Sequence, residues 1–215
     1  MPRKLKIILY SFIGLTIILL VLLYFSPYRN LVPGMQPDAI SQERYIQTKL
    51  IAKTIKDTSK NNQAICKYIS NSIFPFWYGT IWGFNGTTEQ PRKGRIACGY
   101  FVTTVLRDAG FDIAREKMAQ MPSEKMIKEL LPAKYITRYS NIEIDNFVKK
   151  LGPPQHKLYI VGLDTHIAFL MGENNNWYMV HSSGRWPFCV VKEKALNSKT
   201  LKKSNYKVVG RLSDN

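Results

Sequence analysis

Acidic side chains are scarce in this chain of 215 residues: 15 Asp and Glu stand against 31 Lys and Arg, leaving a net charge of +16. That balance disfavours cationic partners and favours anionic ones: nucleic acid, acidic lipid or an anionic envelope polymer. The same charge can also serve only to solvate the surface. Cysteine is scarcer still. Cys66, Cys98 and Cys189 are an odd set, which excludes a disulfide-built scaffold and leaves at least one free thiol. Cys66 and Cys189 can pair or stay as two buried thiols, and the sequence leaves both open. Histidine occurs three times, and no Cys or His stands in a short paired spacing, so no metal site and no cofactor is expected. Internal repeats and low-complexity tracts are absent.

What is present is apolar and aromatic. A hydrophobic share of 45% with 12% aromatics supports a packed core and argues against disorder. Residues 7–25 carry no charge, and at ~1.5 Å per residue a helix of that length nearly matches a ~30 Å hydrocarbon core. Arg3, Lys4 and Lys6 precede the run and only Arg29 follows closely, so the positive-inside rule keeps residues 1–6 cytoplasmic as a basic tail. A cleavable signal peptide is the rival reading, but Tyr24-Phe25-Ser26-Pro27-Tyr28 offers no small-x-small cleavage site. The expectation is an uncleaved single-pass signal anchor in the cell membrane, with the remainder extracytoplasmic. Nucleic acid is then not expected as a partner; peptidoglycan or another anionic envelope polymer is, with the membrane held through residues 7–25.

Residues 26–38, with Pro27, Pro33, Gly34 and Pro37, read as a linker. One domain over 39–215 follows. Residues 38–60 are predicted helical, with Ile46, Leu50, Ile51 and Ile55 at core-facing spacing. A second helical stretch carries Ile65, Tyr68, Ile69 and Ile73 and is expected to end at Pro75. The aromatic- and Gly-rich segment from Phe76 to Arg95 has no period and is read as a loop, forming either a pocket wall or core. Cys98 then opens a helical run with Phe101, Val102, Val105, Leu106 and Ala109 on one face and Gly110 as its C-terminal cap. Helical patches at Met126–Leu131 and Ile142–Leu151 lie within a segment of about 112–156 that reads as an insertion, a lid or a partner-binding element. Strands are predicted at Lys157–Leu163, His166–Met171, Trp177–His181, Phe188–Lys192 and Tyr206–Leu212. Helices first and an antiparallel meander second make the fold class α+β.

Chemistry concentrates at Cys98. A nucleophilic cysteine acts as thiolate, and a helix N-terminus offers partial positive charge and unpaired N–H groups to that anion. A strand imidazole, His166, can take the thiol proton and return it to a leaving amine. His181, one hairpin strand away, can orient it through its other nitrogen. The Cys98 N–H is a candidate oxyanion donor. The commoner reading of each residue alone is plain: a core cysteine, a hydrogen-bonded strand histidine. Zinc held by all three is a weaker option.

The texts Ala97-Cys98-Gly99-Tyr100-Phe101-Val102, His166-Ile167-Ala168-Phe169-Leu170-Met171-Gly172 and Val180-His181-Ser182-Ser183 occur in this order. With Pro75-Phe76-Trp77-Tyr78-Gly79-Thr80 before them, they resemble the NlpC-like cell-wall peptidases of the papain-like cysteine hydrolase superfamily. The resemblance spans roughly residues 60–192. It implies a papain-like domain whose nucleophile helix packs on an antiparallel sheet, with Cys98, His166 and His181 catalytic. It also implies cleavage of an amide bond in peptidoglycan stem peptides. Tyr78, Trp82, Gly99 and Ser182 are the expected substrate-binding residues. The chain departs from the family at Ala97 and Gly99, where Asp and Ser are usual, and at Phe76, where the pocket Tyr stands. Those departures motivate a second reading, a catalytically impaired papain-like module that binds envelope glycan or a protein partner. Acyl transfer on lipids or thioesters is a third.

Overall fold

The computed structural model describes residues 3–26 and 39–214; the linker expected over 26–38 falls outside the described residues except for Ser26. α1 (Arg3–Phe25) contains an apolar stretch, Ile8–Phe25, that is long and apolar enough to cross a bilayer, and none of it is buried.

The chain continues through α2 (Ala39–Thr58), α3 (Gln63–Tyr68), a π turn over Ile69–Ile73 and α4 (Phe74–Trp77). Two short strands, β1 (Ile81–Trp82) and β2 (Arg95–Ile96), pair in parallel. They lead into α5 (Cys98–Asp108), α6 (Arg115–Ala119), α7 (Ser123–Leu130), β3 (Ile136–Ser140) and α8 (Ile144–Lys150). The meander β4 (Leu158–Leu163), β5 (Ile167–Glu173), β6 (Asn176–Ser182) and β7 (Val190–Lys194) follows, then α9 (Lys199–Lys203) and β8 (Tyr206–Arg211). Six strands form one sheet in the order β3-β8-β4-β5-β6-β7, every pair antiparallel. The class is mixed α+β with an antiparallel sheet. β8 does not close the sheet from outside but inserts between β3 and β4.

Period-two geometry sorts the apolar strand residues into two cores. Leu158, Ile160, Ile167, Phe169 and Val180 face α5, where Phe101, Val102 and Val105 are fully buried. Tyr159, Val161, Ala168, Leu170 and Met179 face the opposite way, onto Phe147 of α8 and Leu201 of α9. A sheet covered on both faces needs near-continuous apolar strands, which is why β4 is buried at every position. The Phe101 ring stands edge-on to Phe169 at 5.9 Å, so α5 is locked directly over β5.

Four expectations need correction. Ile46, Leu50 and Ile51 of α2 are not core-facing; each is about half exposed, at 50–54%, while Tyr45 and Ala52 are buried. Polar partners decide the helix's rotation: Trp77 Nε1–H donates to Tyr45 Oη at 2.8 Å, and Tyr45 Oη–H donates to buried Asp108 at 2.8 Å. Pro75 does not end the second helical stretch. The preceding π turn, closed by the Phe74 N–H on Ile69 O, resets the phase so that Pro75 falls in the first turn of α4, where no N–H is needed. Residues 112–156 do not stand apart from the domain as a lid: α7 packs on β4 and β8, α8 fills the second core, and β3 pairs with β8 along its length. The Phe76–Arg95 segment is not wholly loop: it holds the end of α4 together with β1 and β2, and supplies both core (Trp77) and surface (Phe84).

The Tyr45 relay gives a stability prediction. Tyr45→Phe leaves Asp108 without its Tyr partner and orphans the Trp77 N–H, which costs about 1–3 kcal/mol. Denaturant unfolding measures it, and an unchanged midpoint contradicts the relay.

Candidate active site

β2 delivers Cys98 to the head of α5. Ala97 is extended (φ −83°, ψ 163°) and its side chain caps none of the first N–H groups of the helix. Ser182 Oγ–H donates to Ile96 O at 2.7 Å, tying the end of β2 to β6 two residues before the thiol. Gly99 carries a packing role. A Cβ there would lie 2.2 Å from Ala119 O, so only glycine lets α6 close on the first turn of α5. Gly99→Ala is therefore expected to displace α6 and lower stability by about 1–3 kcal/mol, read by thermal or denaturant unfolding.

His166 sits at the entry to β5, on a turn that Asp164 holds by accepting from the Asn205 and Tyr206 N–H groups at 2.8 and 3.0 Å. Its Nε2 lies 2.8 Å from His181 Nδ1, with the two rings edge-on. His181 is almost fully buried, and its Nε2 lies 3.2 Å from Glu193 Oε1. These contacts assign the protons. An ionised Glu193 only accepts, so His181 carries its proton on Nε2 and accepts on Nδ1. His166 must then donate from Nε2, which leaves its Nδ1 as the nitrogen without a proton. Burial pushes Glu193 up, but hydrogen bonds from His181 and Ser198 win and hold it below the usual carboxylate range. Burial, with the His181 charge behind it, holds His166 down at about 3, so it is a neutral base at physiological pH.

The Cys98 sulfur sits against the backbone N–H groups of Ile167 and Gly99 and its own N–H. Ile167 adjoins His166 in the chain, and Cys98 and His166 line one cleft of about 840 Å³. Burial outweighs those amides and pushes the thiol above its ordinary value, so the cleft holds a neutral thiol and a neutral imidazole. Cys66 and Cys189 are free and buried; burial raises both, Cys189 to about 11, and makes them poor nucleophiles. Among the described residues, no group of three or more His, Cys, Asp or Glu is placed to hold a metal ion.

Trp82 and Gly99 line the cleft with Cys98. Two expected substrate contacts do not. Tyr78 ends α4 on the far side, beside Arg92 and Val190 at a separate hollow, and Ser182 is fully buried on its Ile96 bond. Phe84, 83% exposed, and Tyr100 complete an aromatic wall. Arg115 fixes that wall, donating to Thr104 Oγ1 and Thr87 O and lying 4.9 Å from the Tyr100 ring. Glu193 escaped the sequence pattern because the last hairpin strand was expected to stop at Lys192. Its signal was period two: His181 pairs with Val191, and Glu193 stands two residues on, on the same face.

Comparison with protein-family models, with curated proteins and with solved structures found no match.

Proposed function

We propose that this chain is a membrane-anchored cysteine hydrolase of the papain-like, NlpC type, cleaving an amide bond in peptidoglycan stem peptides on the extracytoplasmic side. The observation that carries the reading is the one-way proton chain Glu193–His181–His166, which leaves His166 Nδ1 bare in a cleft that the Cys98 thiol, at a helix N-terminus, also lines. In this mechanism Cys98 Sγ attacks the scissile carbonyl as its proton passes to His166 Nδ1. The N–H groups at the head of α5 receive the oxyanion. Collapse breaks the C–N bond, the amine leaves with the proton from His166, and a thioester remains on Cys98. Water, deprotonated by His166, then releases the carboxylic acid and the thiol.

The apolar α1 supports the membrane anchoring, and the basic balance of the chain suits an anionic wall polymer. The purified full-length protein is expected to liberate new amino groups from isolated stem peptides. Absence of any amine release contradicts the reading.

One observation favours the second reading, an impaired module that binds envelope glycan or a partner: the thiol is held protonated by burial beside an exposed aromatic wall. Glycan retention equal in the native chain and in Cys98→Ala, without turnover in either, decides for it.

A further inference from the structure

We infer that the cleft takes an acyl donor bearing a carboxylate, and that Arg185 is the residue that reads it; this rests on the cysteine-hydrolase reading of the same site. The cleft around Cys98 is lined by aromatic and neutral polar side chains, among them Asn85, Gln120, Thr165 and Thr200. No carboxylate lines it, and with His166 neutral the single charged side chain on its wall is Arg185. An anionic substrate meets no carboxylate on that wall, whereas a cationic one finds no counter-charge on it; Arg185 also lines a neighbouring hollow, which it shares with Glu193.

Arg185 is also held ready. Its N–H donates to Ser183 Oγ at 3.1 Å, and its carbonyl accepts from Ser183 Oγ–H at 3.2 Å and from the Phe188 N–H at 2.6 Å. The preceding Gly184 lies flush with the Trp82 indole, where a Cβ would meet the ring at 3.2 Å. The backbone is thus clamped, yet the guanidinium has no hydrogen bond or ion pair among the described residues. Other arginines spend theirs on the protein: Arg107 on Glu89 and Asp108, Arg138 on Glu124, Arg115 on Thr87 O. The acid that senses Arg185 electrostatically, Glu193, is already engaged with His181. A planar fork free at the edge of a reaction cleft matches a carboxylate in two-point geometry.

The test uses the thiol as its own reporter. Full-length protein in detergent is alkylated with iodoacetate and, separately, with iodoacetamide, and the Cys98 adduct is followed by peptide mass spectrometry. The ratio of the two rates is compared with that of free cysteine. The expected ratio favours iodoacetate by about tenfold over the free-thiol ratio, and Arg185→Gln abolishes the preference. Arg185→Lys retains only part of it, because charge without the fork remains. A preference that survives in Arg185→Gln assigns it to the general basic charge and overturns the inference, as does a free-thiol ratio in the native chain. Failure of the hydrolase reading looks different: Cys98 then reacts with neither reagent. Protection of Cys98 by N-acetylglutamate α-amide points to a side-chain carboxylate, and protection by N-acetylalanine to a chain-end carboxylate. Protection by neither, relative to their neutral amides, also overturns the inference.

Discussion

Cys98→Ala is expected to abolish amide cleavage, by at least about 10⁴-fold in kcat/KM, while the thermal midpoint stays near that of the native chain. The size follows from the role. Without the sulfur no covalent intermediate forms, and the imidazole pair has nothing to deprotonate; what survives is binding and the helix-end N–H groups, which alone leave only a small residual acceleration. Stability is largely spared because the partly buried thiol lines the cleft and loses only one atom there, while the helix start is fixed by the bonds of Ala97 and Ile96. Equivalent changes at Cys66 or Cys189 act in the opposite sense. Both are buried among apolar neighbours, so they affect unfolding and not turnover.

His181→Phe is the second large effect, about 10²–10⁴-fold in kcat with little change in KM. Phe fills a similar volume, but His166 Nε2–H loses its acceptor and the ring is free to turn Nδ1 away from the thiol. The pH profile separates this from a packing defect. In the native chain the active form carries one proton shared by the thiol–imidazole pair. Activity is lost in acid at the latest as His166 takes a second proton, at about pH 3, and in alkali above the ordinary thiol range, because burial raises Cys98. A broad plateau through neutral pH is the expected profile. In His181→Phe the acid limb moves upward, since the His181 charge no longer opposes protonation of His166. Glu193→Gln keeps an acceptor oxygen for His181 and is expected to cost far less than His181→Phe. A loss as large as that of His181→Phe assigns the effect to the Glu193 charge instead.

Much of this site was readable before the fold was known. A thiol preceding an amphipathic helix, and two histidines on strands joined by a short turn, are local patterns, and local patterns survive folding. The strands β4, β5 and β6 were readable for the same reason, their apolar runs being bounded by turn residues. What escaped depends on long-range partners. The rotation of α2 is set by Tyr45 meeting Trp77 and Asp108, so Ile46, Leu50 and Ile51 matched helical spacing while pointing outward. β3 is a mostly polar edge strand that pairs, among the described residues, with β8 alone, a segment far along the chain. Tyr78 and Ser182 stood next to the right motifs, yet a capping turn and a single backbone bond take them out of the cleft. Gly99 is expected from the sequence as a substrate-binding residue and as a departure from the family's Ser; it lines the cleft, and its place against Ala119 O adds a requirement of helix packing.

The most direct test of the thiol–imidazole account is acid-quenched intact-mass analysis of the full-length protein mixed with a stem peptide for the first turnovers. The account predicts a thioester of the acyl portion on Cys98, formed as the amine is released and absent in Cys98→Ala and His166→Gln. Peptide cleavage with no acyl group ever found on Cys98, or the absence of both cleavage and acylation, contradicts it.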